Sequence, residues 1–310
     1  MSDLFDIVTS ATLYAAAIRL ALPIFLAALG ETFAERAGLV NVGLEGMMLM
    51  GAFGAVLGSD VTGSALAGVA IGLLFAVLVA VVQGFVSINL GGDQIVCGIA
   101  LNIGALGVTA FLVRAIWEGG NAPQVAGFSA FDLPLLANAP FVGVAVFQQG
   151  IFVYVALVLA LISWWALMKT GWGLRMRGCG EDPLACESLG IPVKRLRWQA
   201  MLICGACAGL GGVFLALGQL LTFSDGMSGG RGFIALAVVI IARWSPMLAI
   251  PSALLFGAVE AFALRVQSSD LNVPPELMLA LPYLATIIVY AIVVGRSNPP
   301  AALGRTYVRQ

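Results

Sequence analysis

Five polar side chains lie within long apolar runs of this sequence, at positions where they could hydrogen-bond a solute. They are Asn41, Glu45, Gln94, Asn102 and Glu260. An amide side chain donates and accepts hydrogen bonds at once, which suits an uncharged polar solute. A carboxylate at membrane depth is costly, so it usually faces the interior of a helix bundle or an aqueous cavity. The residue types therefore predict a substrate path that these five side chains line.

The same side chains also suit a structural role, in which they tie helices together. Asn41 and Glu45 are four residues apart, so we expect them on one face of one helix, where they could hydrogen-bond a neighbouring helix. Asn102 suits an interhelical hydrogen bond as well as a solute contact. Glu260 is predicted to lie in a helix with Arg243 and Arg265 near its opposite ends. The sequence leaves both interpretations open for every one of these residues.

The residue types give little support for metal binding, nucleotide binding or catalysis. The chain has no histidine, which removes the most common metal ligand and proton relay. It has no G-x-x-x-x-G-K-[ST] segment to bind nucleotide phosphates. Cys204 and Cys207 are spaced as CxxC, but inside an apolar run, so we expect small packing residues there. We predict a chain that is not an enzyme and binds no cofactor or metal itself.

The composition defines the fold class in which these side chains must be positioned. The chain is 61% hydrophobic and 10% charged, whereas soluble domains contain about 25% charged residues. A charged aqueous surface cannot be built from so few residues, so we predict an all-α, polytopic helical membrane protein. Its apolar runs form one transmembrane domain over residues 1–310, without a linker. The predicted segments are 11–29, 38–58, 64–88, 95–117, 149–168, 200–222, 232–244, 246–265 and 277–295.

Two of these segments are atypical for a complete crossing. The seventh, 232–244, is short, and the second, 38–58, is interrupted by Asn41, Gly43, Glu45 and Gly46. A span needs roughly 20 apolar residues, so either segment suits half of a broken helix. We therefore predict eight to ten crossings, some of them short or broken.

The basic residues predict the orientation. Residues 169–198 carry six of the fifteen Lys and Arg residues, whereas residues 118–148 carry none. Since basic loops remain in the cytoplasm, loop 169–198 and the tail after residue 295 should be cytoplasmic. Loops 118–148, 223–231 and 266–276 should face outward. Five segments precede the basic loop, so the N-terminus is expected outside.

A very short helix with both ends marked is predicted inside the basic loop. Asp182 suits the N-cap, Pro183 the first helical position and Gly190 the position after the last turn. Leu184, Ala185, Leu189 and Ile191 give it an apolar side, while Glu187 points away. Isolated helices shorter than about 12 residues are marginal in water. This helix is therefore predicted to be held in the groove of a cytoplasmic partner.

Three blocks of the sequence together resemble a known family. GETFAERAGLVNVGLEGMMLMGAF, DQIVCGIALNIGALGVTAFL and GLRMRGCGEDPLACESLGIPVKRLRWQAMLICGACAGLGG are similar to permeases of ATP-binding cassette importers. The most similar branch serves nucleosides and simple sugars and is related to ribose and branched-chain amino acid permeases. The loop motif of the family usually reads Asn-Pro followed by two alanines, whereas this chain has Asp182-Pro183-Leu184-Ala185. Asp can replace Asn as an N-cap, so the helix should persist.

The resemblance implies a transmembrane importer subunit that moves a nucleoside, or secondly a simple sugar, by alternating access. Its implied partners are a cytoplasmic ATPase that binds the ATP, a second permease (a related chain or another copy) and an extracytoplasmic solute-binding protein. No nucleic acid is implied, and the location is the inner membrane of a bacterium. The short helix, from Asp182 to Ile191, would couple the chain to the ATPase.

The alternative class is an ion-coupled secondary transporter or a channel that works without an ATPase. Broken helices and polar groups at the midplane are typical of those proteins too. Glu45 or Glu260 would then be the coupling carboxylate. The short helix within residues 180–191 discriminates between the classes, because a transporter that acts alone does not need it.

Overall fold

The computed structural model of the chain describes residues 10–128, 149–267, 280–281, 284–289, 291 and 298–307. The predicted all-α fold is confirmed in these residues. The helices are α1 (Ala11–Arg36), α2 (Leu44–Thr62), α3 (Ala65–Gly84), α4 (Gln94–Ile116), α5 (Ile151–Lys169), α6 (Gly171–Glu181), α7 (Pro183–Ser188), α8 (Val193–Val213), α9 (Arg231–Ile241) and α10 (Pro246–Gln267). Wider π-helical turns extend α3 to Asn89 and α8 to Leu220.

Within the described residues, seven helices are long and apolar enough to cross a membrane: α1, α2, extended α3, α4, α5, extended α8 and α10. Helix α9 has 11 residues, which is about 16 Å and half a bilayer core. The prediction that the seventh segment is short is therefore confirmed, whereas the second segment contains α2, which is long enough to cross a membrane. The ninth segment, 277–295, lies largely outside the described residues, but residues 284–289 are helical.

Two of the predicted boundaries that were wrong concern the polar residues. Helix α1 continues beyond residue 29 to Arg36, because Glu31 and Glu35 find hydrogen-bond donors inside the protein. Helix α2 begins at Leu44 rather than near residue 38. Asn41 therefore precedes the helix, and the predicted common helix face for Asn41 and Glu45 does not exist. The preceding loop turns at Gly38, whose φ of +84° suits glycine.

Loop 169–198 defines one end of the bundle, called here the basic end. Helix α1 finishes there, where Gly180 lies so close that an added Cβ would be 2.3 Å from the Arg36 carbonyl oxygen. The C-terminal residues reach the same end, since the N–H of Ala302 donates to the carbonyl of Gly180 at 2.9 Å. The first residues of α1, about 39 Å away along the helix, lie at the opposite end.

Helices α1, α2 and α8 form the buried interior, and α3, α4 and α5 surround it with apolar side chains on their outer faces. Small residues allow the inner helices to approach closely. At Gly212, in α8, an added Cβ would be 1.8 Å from the carbonyl oxygen of Met48 in α2. At Gly257, in α10, it would be 2.3 Å from the carbonyl of Ala17 in α1. This packing by small residues is typical of membrane helices.

Candidate functional site

Two helices, α2 and α9, begin inside the bundle, where Glu45 links them. The N–H of Gly230 donates to Oε1 of Glu45 at 2.7 Å, and the N–H of Gly232 donates to Oε2 at 2.7 Å. The first N–H groups of a helix have no partner within the helix, and its N-terminus favours negative charge. The Glu45 carboxylate therefore serves as a cap for α9, supplied by another helix.

The start of α2 is held in the same way by Asn102, in α4. Oδ1 of Asn102 accepts from the N–H of Gly46 at 2.8 Å, and Nδ2 donates to the carbonyl of Val42 at 2.9 Å. Asn102 thus satisfies one donor and one acceptor of the broken segment. These contacts support the interpretation in which Asn102 and Glu45 tie helices together.

Asn41 lies in the loop before α2 and is completely buried. Its Oδ1 accepts from the N–H of Gly43 at 3.0 Å, and its own N–H donates to Oε1 of Glu31 at 2.8 Å. Its Nδ2 is 3.2 Å from the sulfur of Cys204. The Cys204 thiol in turn lies 3.2 Å from Oε2 of Glu31. Asn41 therefore joins the loop to α1 and α8.

Gln94 and Gln83 form an amide pair beside this loop. Oε1 of Gln94 accepts from the N–H of Val40 at 2.7 Å, and Nε2 of Gln83 donates to the carbonyl of Gln94 at 2.9 Å. Nε2 of Gln94 and Oε1 of Gln83 are buried without a hydrogen-bond partner in the described residues. The sequence analysis missed Gln83, although a single amide within the apolar run of α3 is a signal of the same kind.

Glu260 forms an ion pair with Arg231, with 2.5 Å between Oε1 and Nη2. Arg243 lies just before the first residue of α10 and Arg265 lies in its last turn, so the two arginines are near opposite ends of this helix, as predicted. Glu260 lies 14 residues beyond the start of α10, or about 21 Å along it, so the pair is deep in the bundle. The side chains of Arg231 and Glu260 are 17% and 21% exposed.

Loop 223–231, which was predicted to face outward, is partly buried in the bundle, and the side of the membrane that it faces stays a prediction. Phe223 packs edge-on against Phe53 of α2, Met227 and Ser228 are buried, and Gly230 reaches Glu45. Glu45 is 17 residues from the end of α2, about 26 Å from the opposite end of the bundle. The loop re-enters the bundle because Glu45 satisfies its backbone there. Residues 129–148 and 268–276 of the other predicted external loops lie outside the described residues.

The turn between α9 and α10 is fixed by the end of α1. Nε of Arg36 donates to the carbonyl of Trp244 at 3.1 Å, and Nη2 donates to that of Arg243 at 3.3 Å. The indole N–H of Trp244 donates to Oε2 of Glu35. Arg243 and Trp244 have φ values of 51° and 56°, a left-handed conformation that is costly for residues with a Cβ. Contacts from α1 thus hold a strained turn at the basic end.

Helix α7 has the predicted caps. Oδ1 of Asp182 accepts from the N–H groups of Leu184 and Ala185 at 3.0 Å, and Pro183 is the first helical residue. Gly190 has a φ of +74° just beyond the helix. Within the predicted apolar side, Leu184 is 49% and Leu189 78% exposed. Nothing in the described residues covers these two leucines.

The other side of α7 packs against its own loop. Cys186 is buried with Cys179, Val193 and Leu196, and Ile191 packs against this cluster. Burial raises the pKa of the Cys179 thiol to about 12, and the neighbouring Cys186 adds to that rise. The burial fits packing roles for Cys179 and Cys186, and the raised pKa fits a Cys179 thiol that stays neutral. Beside α7, Glu187, Lys194 and Tyr307 border a groove of about 390 Å³.

A bundle of long apolar helices with two helices that begin inside it, and an exposed capped helix at one end, defines a polytopic transport permease. Residues 13–290 match the family described as the branched-chain amino acid transport system permease component, and the chain belongs to that family. This result confirms the resemblance seen in the sequence.

Relatives that align over nearly the whole chain agree with this assignment. The guanosine ABC transporter permease protein NupQ of Bacillus subtilis is 36% identical over 99% of this chain and 98% of that protein. The nucleoside ABC transporter permease protein NupC of Lactococcus lactis is 36% identical over 93% of each chain. The putative glucose ABC transporter permease protein TsgC13 of Haloferax volcanii is 34% identical over 97% of this chain and 98% of that protein.

Proposed function

We propose that this chain is the membrane-spanning subunit of an ATP-driven importer for nucleosides, with simple sugars as the second solute class. The observation that carries the proposal is α7, a capped helix whose two leucines are uncovered at the basic end. A small apolar helix face of this kind suits a groove in another protein. The nucleoside and glucose permeases that align with the whole chain support the solute class.

The partners follow from what α7 requires and from the family. A cytoplasmic ATP-binding cassette ATPase binds and hydrolyses ATP and receives α7 in its groove. A second permease, either a related chain or another copy, completes the path, and an extracytoplasmic solute-binding protein delivers the solute. The basic end faces the cytoplasm of a bacterial cell and the opposite end faces outward, in agreement with the six basic residues of loop 169–198.

The packing supports a route by which ATPase movement reaches the membrane interior. Helix α6 adjoins α7, and its Gly180 packs against the backbone of Arg36. Arg36 holds the carbonyl groups of Arg243 and Trp244, at the end of α9. The other end of α9 carries Arg231 and the glycines bound by Glu45. A displacement of α7 thus moves α9, and alternating access follows when two such subunits move together.

The solute path passes the polar groups at the starts of α2 and α9. In this proposal Glu260 contacts the solute, while Asn41, Glu45 and Asn102 keep the wall of the path in shape through their backbone hydrogen bonds. Gln94 lies beside them, and its Nε2, which has no hydrogen-bond partner among the described residues, is available when the wall opens. Solute contact by Asn41, Glu45 and Asn102 would require their present hydrogen bonds to break.

Reconstitution tests the proposal. The tagged chain is purified from its native membrane, the co-purifying proteins are identified, and radiolabelled guanosine uptake is measured in proteoliposomes that contain the complex. We expect an ATPase and a second permease to co-purify, and uptake to require ATP and the solute-binding protein. Sustained guanosine uptake by this chain alone, driven by a proton or sodium gradient without ATP, would contradict the proposal and favour a secondary transporter.

A further inference from the structure

The ion pair between Arg231 and Glu260 is unusual in its position. It joins the first residue of α9 to the second half of α10, within the bundle, yet both side chains are partly exposed. Charged side chains at such depth are expensive in hydrocarbon and are found facing bundle interiors or aqueous cavities. The exposed side of this pair therefore faces water or a polar solute in the working assembly, rather than lipid.

The pair retains unused hydrogen-bonding capacity. Oε1 of Glu260 accepts from Arg231, whereas Oε2 has no partner among the described residues. Nη1 of Arg231 lies 3.4 Å from the carbonyl groups of Met227 and Ser228, at the long limit for a hydrogen bond. Nε of Arg231 is buried without any partner in the described part of the chain. The site thus combines a free carboxylate acceptor with a guanidinium donor.

The neighbouring polar groups lack this capacity. Glu45 uses both carboxylate oxygens on the backbone of α9, and Asn102 uses its oxygen and its nitrogen on the broken segment of α2. Glu45 also offsets the positive end of α9, which the Arg231 guanidinium cannot cap, because it is a cation that only donates hydrogen bonds. Compared with Glu45 and Asn102, the pair therefore has more atoms left for a ligand in the described part of the chain.

We propose that Arg231 and Glu260 form a binding site for vicinal hydroxyl groups on the ring of the solute. This inference rests on the proposed function, and it names the part of the solute that the chain recognises. Nucleosides and simple sugars differ in their other parts, but both carry neighbouring hydroxyl groups on a ring. One hydroxyl donates to Oε2 of Glu260 and its neighbour accepts from the Arg231 guanidinium. Since the pair has no net charge, it suits a neutral solute.

The test compares guanosine with 2′-deoxyguanosine and 2′,3′-dideoxyguanosine as competitors for binding and uptake in the reconstituted complex. Loss of a hydrogen bond to a charged group weakens binding roughly tenfold or more. We expect the wild-type complex to prefer guanosine over the dideoxy compound by at least that factor. Glu260→Gln should reduce the preference to within about threefold, by weakening guanosine binding while dideoxyguanosine binding stays the same. Glu118→Gln, the same change at an exposed residue after α4, is the control and should keep the preference.

A purely structural role predicts other results. In that case the double variant with Arg231→Glu and Glu260→Arg restores the ion pair and, with it, wild-type discrimination; our site predicts that discrimination stays lost. If the complex does not assemble with Glu260→Gln, discrimination is measured with Glu260→Asp and with the double variant instead. Unchanged discrimination in an assembled Glu260 variant, or in the assembled double variant, would overturn the inference. Binding of the three compounds to the purified complex is measured separately, so the inference is tested even if uptake proves independent of ATP and the proposed function fails.

Discussion

The Glu45 carboxylate, in α2, binds the backbone N–H of Gly232, in α9, across 187 residues of sequence. The approach is so close that a Cβ added to Gly232 would lie 2.5 Å from the backbone nitrogen of Glu45. Two helices thus begin at the same place inside the bundle, and one side chain satisfies the start of the other helix. Glu45 therefore holds the start of α9 against the start of α2.

Glu45→Gln tests this relationship. Glutamine offers one acceptor oxygen, and its NH₂ group would face the N–H of the other glycine, so one buried donor of α9 loses its partner. We expect a loss of about 1–3 kcal/mol in stability, seen as a lower midpoint of thermal unfolding in detergent. Relative uptake of guanosine and its deoxy analogue should not change. Wild-type stability together with altered solute preference would instead place Glu45 in contact with solute.

A second prediction concerns two glycines in helices. Gly212→Ala should destabilise the protein or prevent its folding, because the new Cβ would overlap the backbone of Met48 in α2. Gly104→Ala, in α4, is the matched control, since nothing lies within 4 Å of its Cβ position. In model systems, a helix is more stable by about 1 kcal/mol with alanine than with glycine at an interior position. This control should therefore be neutral or stabilising. Thermal unfolding of the two variants in detergent would measure the difference. Equal effects would contradict the close crossing of α2 and α8.

The contrast between local and distant contacts explains what the sequence could predict. The caps of α7 come from Asp182 and Gly190, which lie within or beside the helix, so residue types alone predicted it correctly. The start of α9 depends on Glu45, which is far away in sequence. The residues near Arg231 in the sequence do not predict that its ion-pair partner is Glu260 rather than another acidic residue. The apolar runs therefore predicted the helices, while the re-entry of loop 223–231 and the ion pair required the structure.

Cysteine labelling in intact cells tests the orientation. We expect a cysteine at Asn121 to react with a membrane-impermeant maleimide from outside, and one at Ser188 to react only after permeabilisation, because the basic loop remains in the cytoplasm. The background carries Cys97→Ser, since Cys97 is partly exposed, whereas the other four cysteines are buried. The raised pKa of Cys179, about 12, keeps this thiol protonated and unreactive at pH 7–8, and its reactivity would increase only in strong alkali. Labelling of Ser188→Cys in intact cells would reverse the assigned orientation.

Helix α7 provides the sharpest test of coupling to the ATPase. Leu184→Asp with Leu189→Asp replaces both uncovered leucines, each of which could contribute up to about 3 kcal/mol when buried in a partner groove. We expect the permease to insert and pair normally, but to bind the ATPase about a hundredfold more weakly or worse and to lose ATP-dependent uptake. Pull-down of the ATPase and guanosine uptake measure the two effects. The matched control is Val61→Asp, which places an acid at an exposed apolar residue of the opposite end.

A substitution at Gly190 tests the shape of the turn after α7 independently of the two leucines. Its φ of +74° favours glycine, and no atom lies within 4 Å of its Cβ position, so a substitution there introduces backbone strain without a clash. Left-handed strain costs about 1–2 kcal/mol per residue. Gly190→Val should therefore weaken ATPase binding about tenfold, less than the double leucine variant does, because both leucines remain. If the double variant binds the ATPase and imports guanosine like the wild-type protein, residues 180–191 do not couple the permease to ATP hydrolysis. Weaker binding in Gly190→Val than in the double variant would show that the shape of the turn matters more than the leucines.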